Sequence, residues 1–156
     1  MRKIEELIFH WSVTSPESEV SDLRNIHLSH GWRDIGYHRV ILHPNSRQFK
    51  GKIPTRWWEL VKEGRRLDND PYLEQDEVGA HTLYHNHYSV GICVIGRPGE
   101  PLHPLQALAI VMTAITLCRR FNLSLSVDIS GHRDHNATQC PGAEIYKLIQ
   151  EVKTTQ

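Results

Sequence analysis

The chain has 156 residues, 39% of them hydrophobic, and its 18 lysines and arginines balance 18 aspartates and glutamates for a formal net charge of zero. That length fills one core and is short for two ordinary domains, so a single domain over residues 1–156 is expected. The charge balance supplies no global attraction to nucleic acid or to an anionic membrane surface, and neither partner class is expected. Arg2, Lys3, Glu5 and Glu6 break up the apolar core that a secretory signal requires, and no later run reads as long enough to span a bilayer. The expected location is therefore cytoplasmic. Cys93, Cys118 and Cys140 form an odd set without disulfide spacing, in keeping with a reducing compartment. Cys93 and Cys118 lie inside apolar runs and read as buried small hydrophobes.

In chain order, Leu7, Ile8 and Phe9 form an apolar run that ends at His10, before the polar stretch Ser12 to Ser15. The pattern predicts a strand that delivers a side chain at its end. From Glu19 to His30, Val20, Leu23 and Ile26 recur at helical spacing, with Ser18 as cap and Gly31 as stop. His27 and His30 lie one turn apart on this helix, where packing beside Trp32 explains them better than metal ligation. Gly36 turns Tyr37 into a short β-prone run, Val40 to Leu42, that ends at Pro44. By its residue type alone Tyr37 is an ordinary half-buried aromatic, and His38 and His43 read as structural.

Trp57, Trp58, Leu60 and Val61 predict another strand, followed by a loop from Gly64 to Asp70. The adjacent tryptophans next to Arg56 either cover the sheet edge or stack on sugar rings, and the first reading is favoured. A polar loop holding His81, Asn86 and His87 then leads into Val90 to Ile95, an apolar run suited to a central buried strand. That loop is expected to overhang a cleft. Pro104 opens a helix through Phe121, with Arg119 and Arg120 against the negative end of its dipole. Leu125 to Ile129 predicts the strand that delivers His132. Ala143 to Val152 places Ile145, Leu148, Ile149 and Val152 on one face of a closing helix. The alternation of elements gives the α/β class: one mixed central sheet flanked by helices.

Chemistry concentrates between Gly131 and Gly142, which reads GHRDHNATQCPG. Imidazole nitrogen and thiolate sulfur suit zinc, and a catalytic zinc takes three protein ligands and one open position. His132 and Cys140 are eight positions apart with Pro141 and Gly142 following, so a loop can aim both at one point. The third ligand must come from elsewhere, and His10 is the closest candidate by chemistry. A satisfied polar loop is the competing reading of such a cluster, and spacing alone does not separate the two. Asp134, beside Arg133, reads as half of a loop-fixing ion pair.

Four separated segments, IFHWSVT at 8–14, GWRDIGYHRVI at 31–41, VGAHTLYHNHYSVGICVIG at 78–96 and GHRDHNATQCPG at 131–142, together resemble the zinc-dependent N-acetylmuramoyl-L-alanine amidases. That family takes in phage endolysins and is related to the peptidoglycan recognition proteins. The resemblance implies an amidase-like mixed α/β domain with one zinc ion on His10, His132 and Cys140, and Tyr37 as the catalytic tyrosine. Thr138 falls on a second catalytic position that is lysine in a phage member and threonine in recognition proteins with amidase activity. His81 and Asn86 fall where the family keeps residues beside the substrate. Recognition proteins that only bind the wall lack the cysteine, so Cys140 favours an enzyme.

The activity implied is hydrolysis of the amide between N-acetylmuramic acid and L-alanine in peptidoglycan. The expected setting is a monomeric, bacteriolytic phage endolysin, cytoplasmic until a holin opens the membrane. A cytoplasmic amidase recycling soluble anhydro-muropeptides and a noncatalytic wall-binding module are the alternatives. One phage member also binds RNA polymerase, which extends to this chain by analogy only. The Phe49 to Arg65 segment departs from the family pattern. In the implied chemistry the Tyr37 phenol donates a hydrogen bond to the developing oxyanion.

Overall fold

The computed structural model describes residues 1–155, which leaves Gln156 of the predicted domain outside the described residues. Eleven elements follow in order: β1 (Arg2–Lys3), β2 (Glu6–Trp11), α1 (Val20–Ser29), β3 (Arg39–Ile41), α2 (Trp57–Leu60), β4 (Val61–Glu63), β5 (Tyr72–Leu73), β6 (Ser89–Val94), α3 (Pro104–Phe121), β7 (Ile129–Gly131) and α4 (Ala143–Thr154). Single 3-10 turns occupy Arg47–Phe49 and His132–Asp134. Five strands form one sheet in the order β4-β3-β6-β2-β7, antiparallel only at β4, and β1 pairs with β5 in a separate antiparallel ribbon. The expected mixed sheet flanked by helices is therefore present.

Alternation along the central strands sorts side chains between two cores. Leu7 and Phe9 of β2, with Val90, Ile92 and Val94 of β6, join the larger core under α3 and α4. Cys93 and Ile95 face the other way, into a smaller core with Leu23 of α1, Ile35, Val40 and Leu42. His10 shares the second face, so burial of Phe9 decides where His10 points. Helix α3 buries Ala109, Ile110, Thr113, Ala114, Leu117, Cys118 and Phe121, a stripe at three- and four-residue spacing. Contrary to the sequence expectation, its 18 residues are long and apolar enough to cross a membrane by length and composition. In this fold that apolar stripe lies on the sheet.

Three local expectations change. At α1 the cap is Glu19, not Ser18: the Glu19 N–H donates to the Asp22 carboxylate at 2.8 Å. Trp57–Leu60 is a helical turn rather than a strand, because Glu59 accepts the N–H groups of Thr55 and Arg56 at 3.0 and 2.9 Å and closes it. Trp57 packs on the main core, whereas Trp58 is exposed with the Arg56 guanidinium 5.2 Å from its ring. The strand predicted over Leu125 to Ile129 begins only at Ile129. The Asp128 carboxylate accepts the Ser124 N–H at 2.8 Å and holds the preceding residues in a turn.

Candidate metal centre

Strands β2 and β7 run parallel, and the centre lies at their carboxyl ends, where open α/β sheets place ligands. His10 is the penultimate residue of β2, paired with Cys93 and 1% exposed. His132 follows β7 directly. The loop after it is closed by the Arg133 N–H donating to the Cys140 carbonyl at 2.8 Å, which returns the Cys140 side chain to the His10 ring. Cys140 Sγ lies 3.6 Å from His10 Nδ1, the His10 and His132 rings are 4.7 Å apart, and the three ligand atoms fall within 4.8 Å of one another.

These residues fit a zinc ion. Bonds of about 2.3 Å to sulfur and 2.0–2.1 Å to nitrogen at a tetrahedral angle separate the two donors by about 3.5 Å, close to the observed 3.6 Å. The far nitrogen of each histidine is engaged: His10 Nε2 lies 3.0 Å from His81 Nδ1, and His132 Nε2 lies 2.9 Å from Asn136 Oδ1. Those partners fix the ring orientations and leave both Nδ1 atoms for an ion, the outer-shell arrangement common to metal-bound imidazoles. Burial, reinforced by His81 and His132, holds the His10 pKa well below its ordinary value, so it is the neutral ligand form. Burial pushes the Cys140 thiol up to about 11, a shift that a neighbouring divalent cation reverses.

His81 is packed under His10 rather than spread along an open cleft. It is 8% exposed, and its Nδ1 also contacts Thr82 Oγ1 at 3.0 Å. Its ring lies on Gly91 of the central strand, where a Cβ would come 2.5 Å from the imidazole, so only glycine admits it. The Asn86 side-chain oxygen accepts the N–H groups of His81 and Thr82 at 2.8 and 2.9 Å and so shapes the loop that presents His81.

Tyr37 is half-buried, with its ring centroid 5.1 Å from that of His10. Burial, and then Cys93 and Cys140 beside it, keep the phenol pKa well above its ordinary value, so it stays a neutral donor. The turn that carries it is held from several sides. Gly36 N–H donates to His27 Nδ1 at 2.9 Å, and Gly36 sits so close to the Ala80 carbonyl that a Cβ would lie 2.2 Å from that oxygen. The Arg65 N–H donates to the Tyr37 carbonyl at 2.7 Å, while its guanidinium, 3% exposed as a residue, donates to the carbonyls of Asp34, Ile35 and Val78. The segment that departs from the family pattern thus ends in a buried arginine that braces the tyrosine turn.

Thr138 is exposed on the His132–Cys140 loop, and its hydroxyl oxygen accepts the Cys140 N–H at 3.2 Å. Asp134 does fix this loop, but through other partners than expected: it accepts the Gly131 N–H at 2.9 Å and the Tyr146 hydroxyl at 2.7 Å. Arg133 instead lies 4.6 Å over the Tyr146 ring and donates to the Gln139 carbonyl. His10, His81, His132, Cys140 and Tyr37 therefore gather at one place, with Asn86 behind them and Thr138 on the rim. Sequence reasoning missed Arg65 and Asn136. The second carried one usable signal, an amide four residues after a ligand histidine; the first carried none. A cavity of about 680 Å³ lined by Trp11, Arg97, Leu102, Pro141 and Glu144 takes the chain neighbours of His10 and Cys140 but none of the ligands, since Trp11 points opposite to His10 along β2.

A mixed α/β domain with two histidines and a cysteine converging beside a phenol defines a protein with a candidate metal-ligand triad at the carboxyl ends of its central strands. The sequence model of the N-acetylmuramoyl-L-alanine amidases matches residues 1–143, and the chain belongs to that family. The endolysin of Enterobacteria phage T3 is 24% identical over 149 residues, covering 90% of this chain and 82% of that protein. Peptidoglycan-recognition protein SC1a of Drosophila melanogaster is 30% identical over 133 residues, covering 84% of this chain and 60% of that protein. Among solved structures, N-acetylmuramoyl-L-alanine amidase LysC from Clostridium intestinale URNW matches with a TM-score of 0.72 at 23% identity, over 97% of this chain and 83% of that one. Bumblebee PGRP-SA matches equally, with a TM-score of 0.72 at 25% identity, over 96% and 82%.

Proposed function

We propose that this chain, as a monomer, hydrolyses the amide joining N-acetylmuramic acid to the L-alanine of the stem peptide in peptidoglycan, with one zinc ion on His10, His132 and Cys140. The observation that carries the reading is the convergence of all three ligand atoms within 4.8 Å, beside Tyr37. When bound, zinc polarises a carbonyl and lowers the pKa of water to about 7. Tyr37 donates its phenolic hydrogen to the oxyanion that develops on the scissile carbonyl. Thr138 accepts the Cys140 N–H at 3.2 Å, which leaves its hydroxyl hydrogen free to donate to an oxygen of the stem peptide. His81 and Asn86 act one layer back, orienting His10 rather than touching the sugar.

The endolysin relatives support a phage setting, in which the protein waits in the cytoplasm and attacks the wall once the membrane opens. Digestion of purified sacculi by zinc-loaded wild type and by Cys140→Ala, with mass spectrometry of the products, tests the reading. Free stem peptides from the wild type alone are expected. Intact sacculi with both proteins, despite zinc in the wild type, turn the assignment toward soluble muropeptides or wall binding without cleavage.

A further inference from the structure

Glu6 opens β2 on the same face as His10, four residues earlier, and it gathers two histidines that the proposed chemistry does not use. Its carboxylate Oε1 lies 2.9 Å from His85 Nδ1, and its Oε2 lies 3.1 Å from His135 Nε2. The two imidazole rings lie with centroids 4.0 Å apart and their planes tilted by 43°. The three ligand atoms fall within 4.8 Å of one another, as those of the first triad do. The side chains are 16–24% exposed, so an ion has access from solvent.

The hydroxyls of Ser130 and Tyr88 share this cluster, and the Ser130 hydroxyl also lies 3.3 Å from Glu6 Oε2, to which it can donate. His85 Nδ1 faces both Glu6 and the Tyr88 hydroxyl, the latter at 3.0 Å, and His135 Nε2 faces both Glu6 and the Ser130 hydroxyl, the latter at 2.8 Å. Each ring nitrogen carries at most one hydrogen, which serves one of its two oxygens well. A cation between the two nitrogens and the carboxylate would use all three as acceptors at once. Glu6 lies 2.9 and 3.1 Å from the two ring nitrogens, hydrogen-bond separations that a tetrahedral zinc, with nitrogen and oxygen donors about 3.4 Å apart, would widen by a few tenths of an ångström.

We infer that Glu6, His85 and His135 hold a second divalent transition-metal ion, of the zinc class, distinct from the ion on His10, His132 and Cys140. Two imidazoles and one carboxylate, without thiolate, select zinc and its neighbours over magnesium or calcium. The ion's place explains its use. His85 lies on the loop that carries His81, and His135 on the loop that carries His132 and Cys140, so the ion fastens both walls of the first centre to β2.

Metal per chain in zinc-loaded, desalted protein, with cobalt substitution as a spectral readout, tests the inference. Wild type should hold two ions, and His85→Ala and His135→Ala one each. Cys140→Ser should also hold one, with a cobalt spectrum that lacks the thiolate band. Zinc should raise the melting temperature of Cys140→Ser and leave that of Cys140→Ser/His135→Ala unmoved. A wild type with one ion that Cys140→Ser eliminates overturns the second site and leaves the first standing. One ion that survives Cys140→Ser and disappears in His135→Ala supports the second site and removes the first. Two ions retained in both histidine variants also overturn the inference.

Discussion

Gly91→Ala is the sharpest test of how the fold builds the metal centre, because it adds one methyl group away from every ligand. The new Cβ would meet His81 Cγ at 2.5 Å, Cδ2 at 2.6 Å and Nδ1 at 2.8 Å, where ordinary contact starts at 3.4 Å. The ring must therefore move by about 1 Å, in a pocket whose packing density allows little give. His81 Nδ1 is the atom 3.0 Å from His10 Nε2, so the displaced ring loses the bond that orients the ligand. Loss of an outer-shell partner costs about 10–100-fold in metal affinity, or ~1.4–2.8 kcal/mol. The overpacking itself costs about 1–3 kcal/mol of stability. Competition with a chromophoric chelator reads the first quantity and denaturant unfolding of metal-free protein reads the second. In a His81→Ala background the three closest atoms to the methyl group are gone, so Gly91→Ala should cost much less in either assay. Wild-type zinc affinity in Gly91→Ala, or the same penalty with and without the His81 ring, refutes the reasoning.

Two further outcomes follow from the same geometry. Tyr37→Phe keeps the ring against His10 and removes only the donor, so zinc content should be unchanged while turnover on sacculi falls about a hundredfold or more; equal turnover takes Tyr37 out of the chemistry. His38 accepts the Gly91 N–H at Nδ1, 3.0 Å away, lies 2.7 Å from the Glu77 carbonyl through Nε2, and has its pKa lowered by burial from 6.5 to about 4. The folded value lies below the unfolded one, so the unfolded chain takes up the proton first. The stability from neutral His38 is thus fully present above 6.5 and is lost as pH falls toward about 4, ~3 kcal/mol in all. Unfolding of metal-free protein between neutral pH and about pH 4.5 should show a steeper loss for wild type than for His38→Gln, and parallel curves would count against this role.

What the sequence made legible depended on where each signal was stored. α1, α3 and α4 each bury one face against a core, which leaves a helical period in the residues, whereas β2 and β6 are buried on both faces and show as short continuous apolar runs. The segments misread as strands, Trp57–Leu60 and residues 125–128, have β-prone or apolar letters, but Glu59 and Asp128 capture nearby N–H groups and bend the chain first. The Ser18 cap failed in the same way, since Asp22 supplied the partner from inside the helix. Spacing paired His132 with Cys140, but linking both to His10 needed the resemblance, because parallel pairing joins residues some 120 positions apart. Arg65 left no trace because the three carbonyls it holds belong to backbone, which every residue has.

The centre is set by packing before it is set by chemistry. With Leu7 and Phe9 in the main core, a one-residue slip of β2 would bury His10 among aliphatics and turn the Phe9 ring onto the metal-centre face, so register and ligand direction are fixed together. From there the positioning runs through contacts that can each be named. The Glu77 carbonyl and Gly91 N–H hold His38, the bare Cα of Gly91 seats His81, and His81 orients His10. Gly91 serves twice in that sequence, once through its N–H and once through the side chain it lacks. A central strand can carry such a residue because its two paired neighbours, β3 and β2, make up for the packing it gives away, which is why the support of the candidate metal centre lies in the middle of the sheet and not in the loops at its rim.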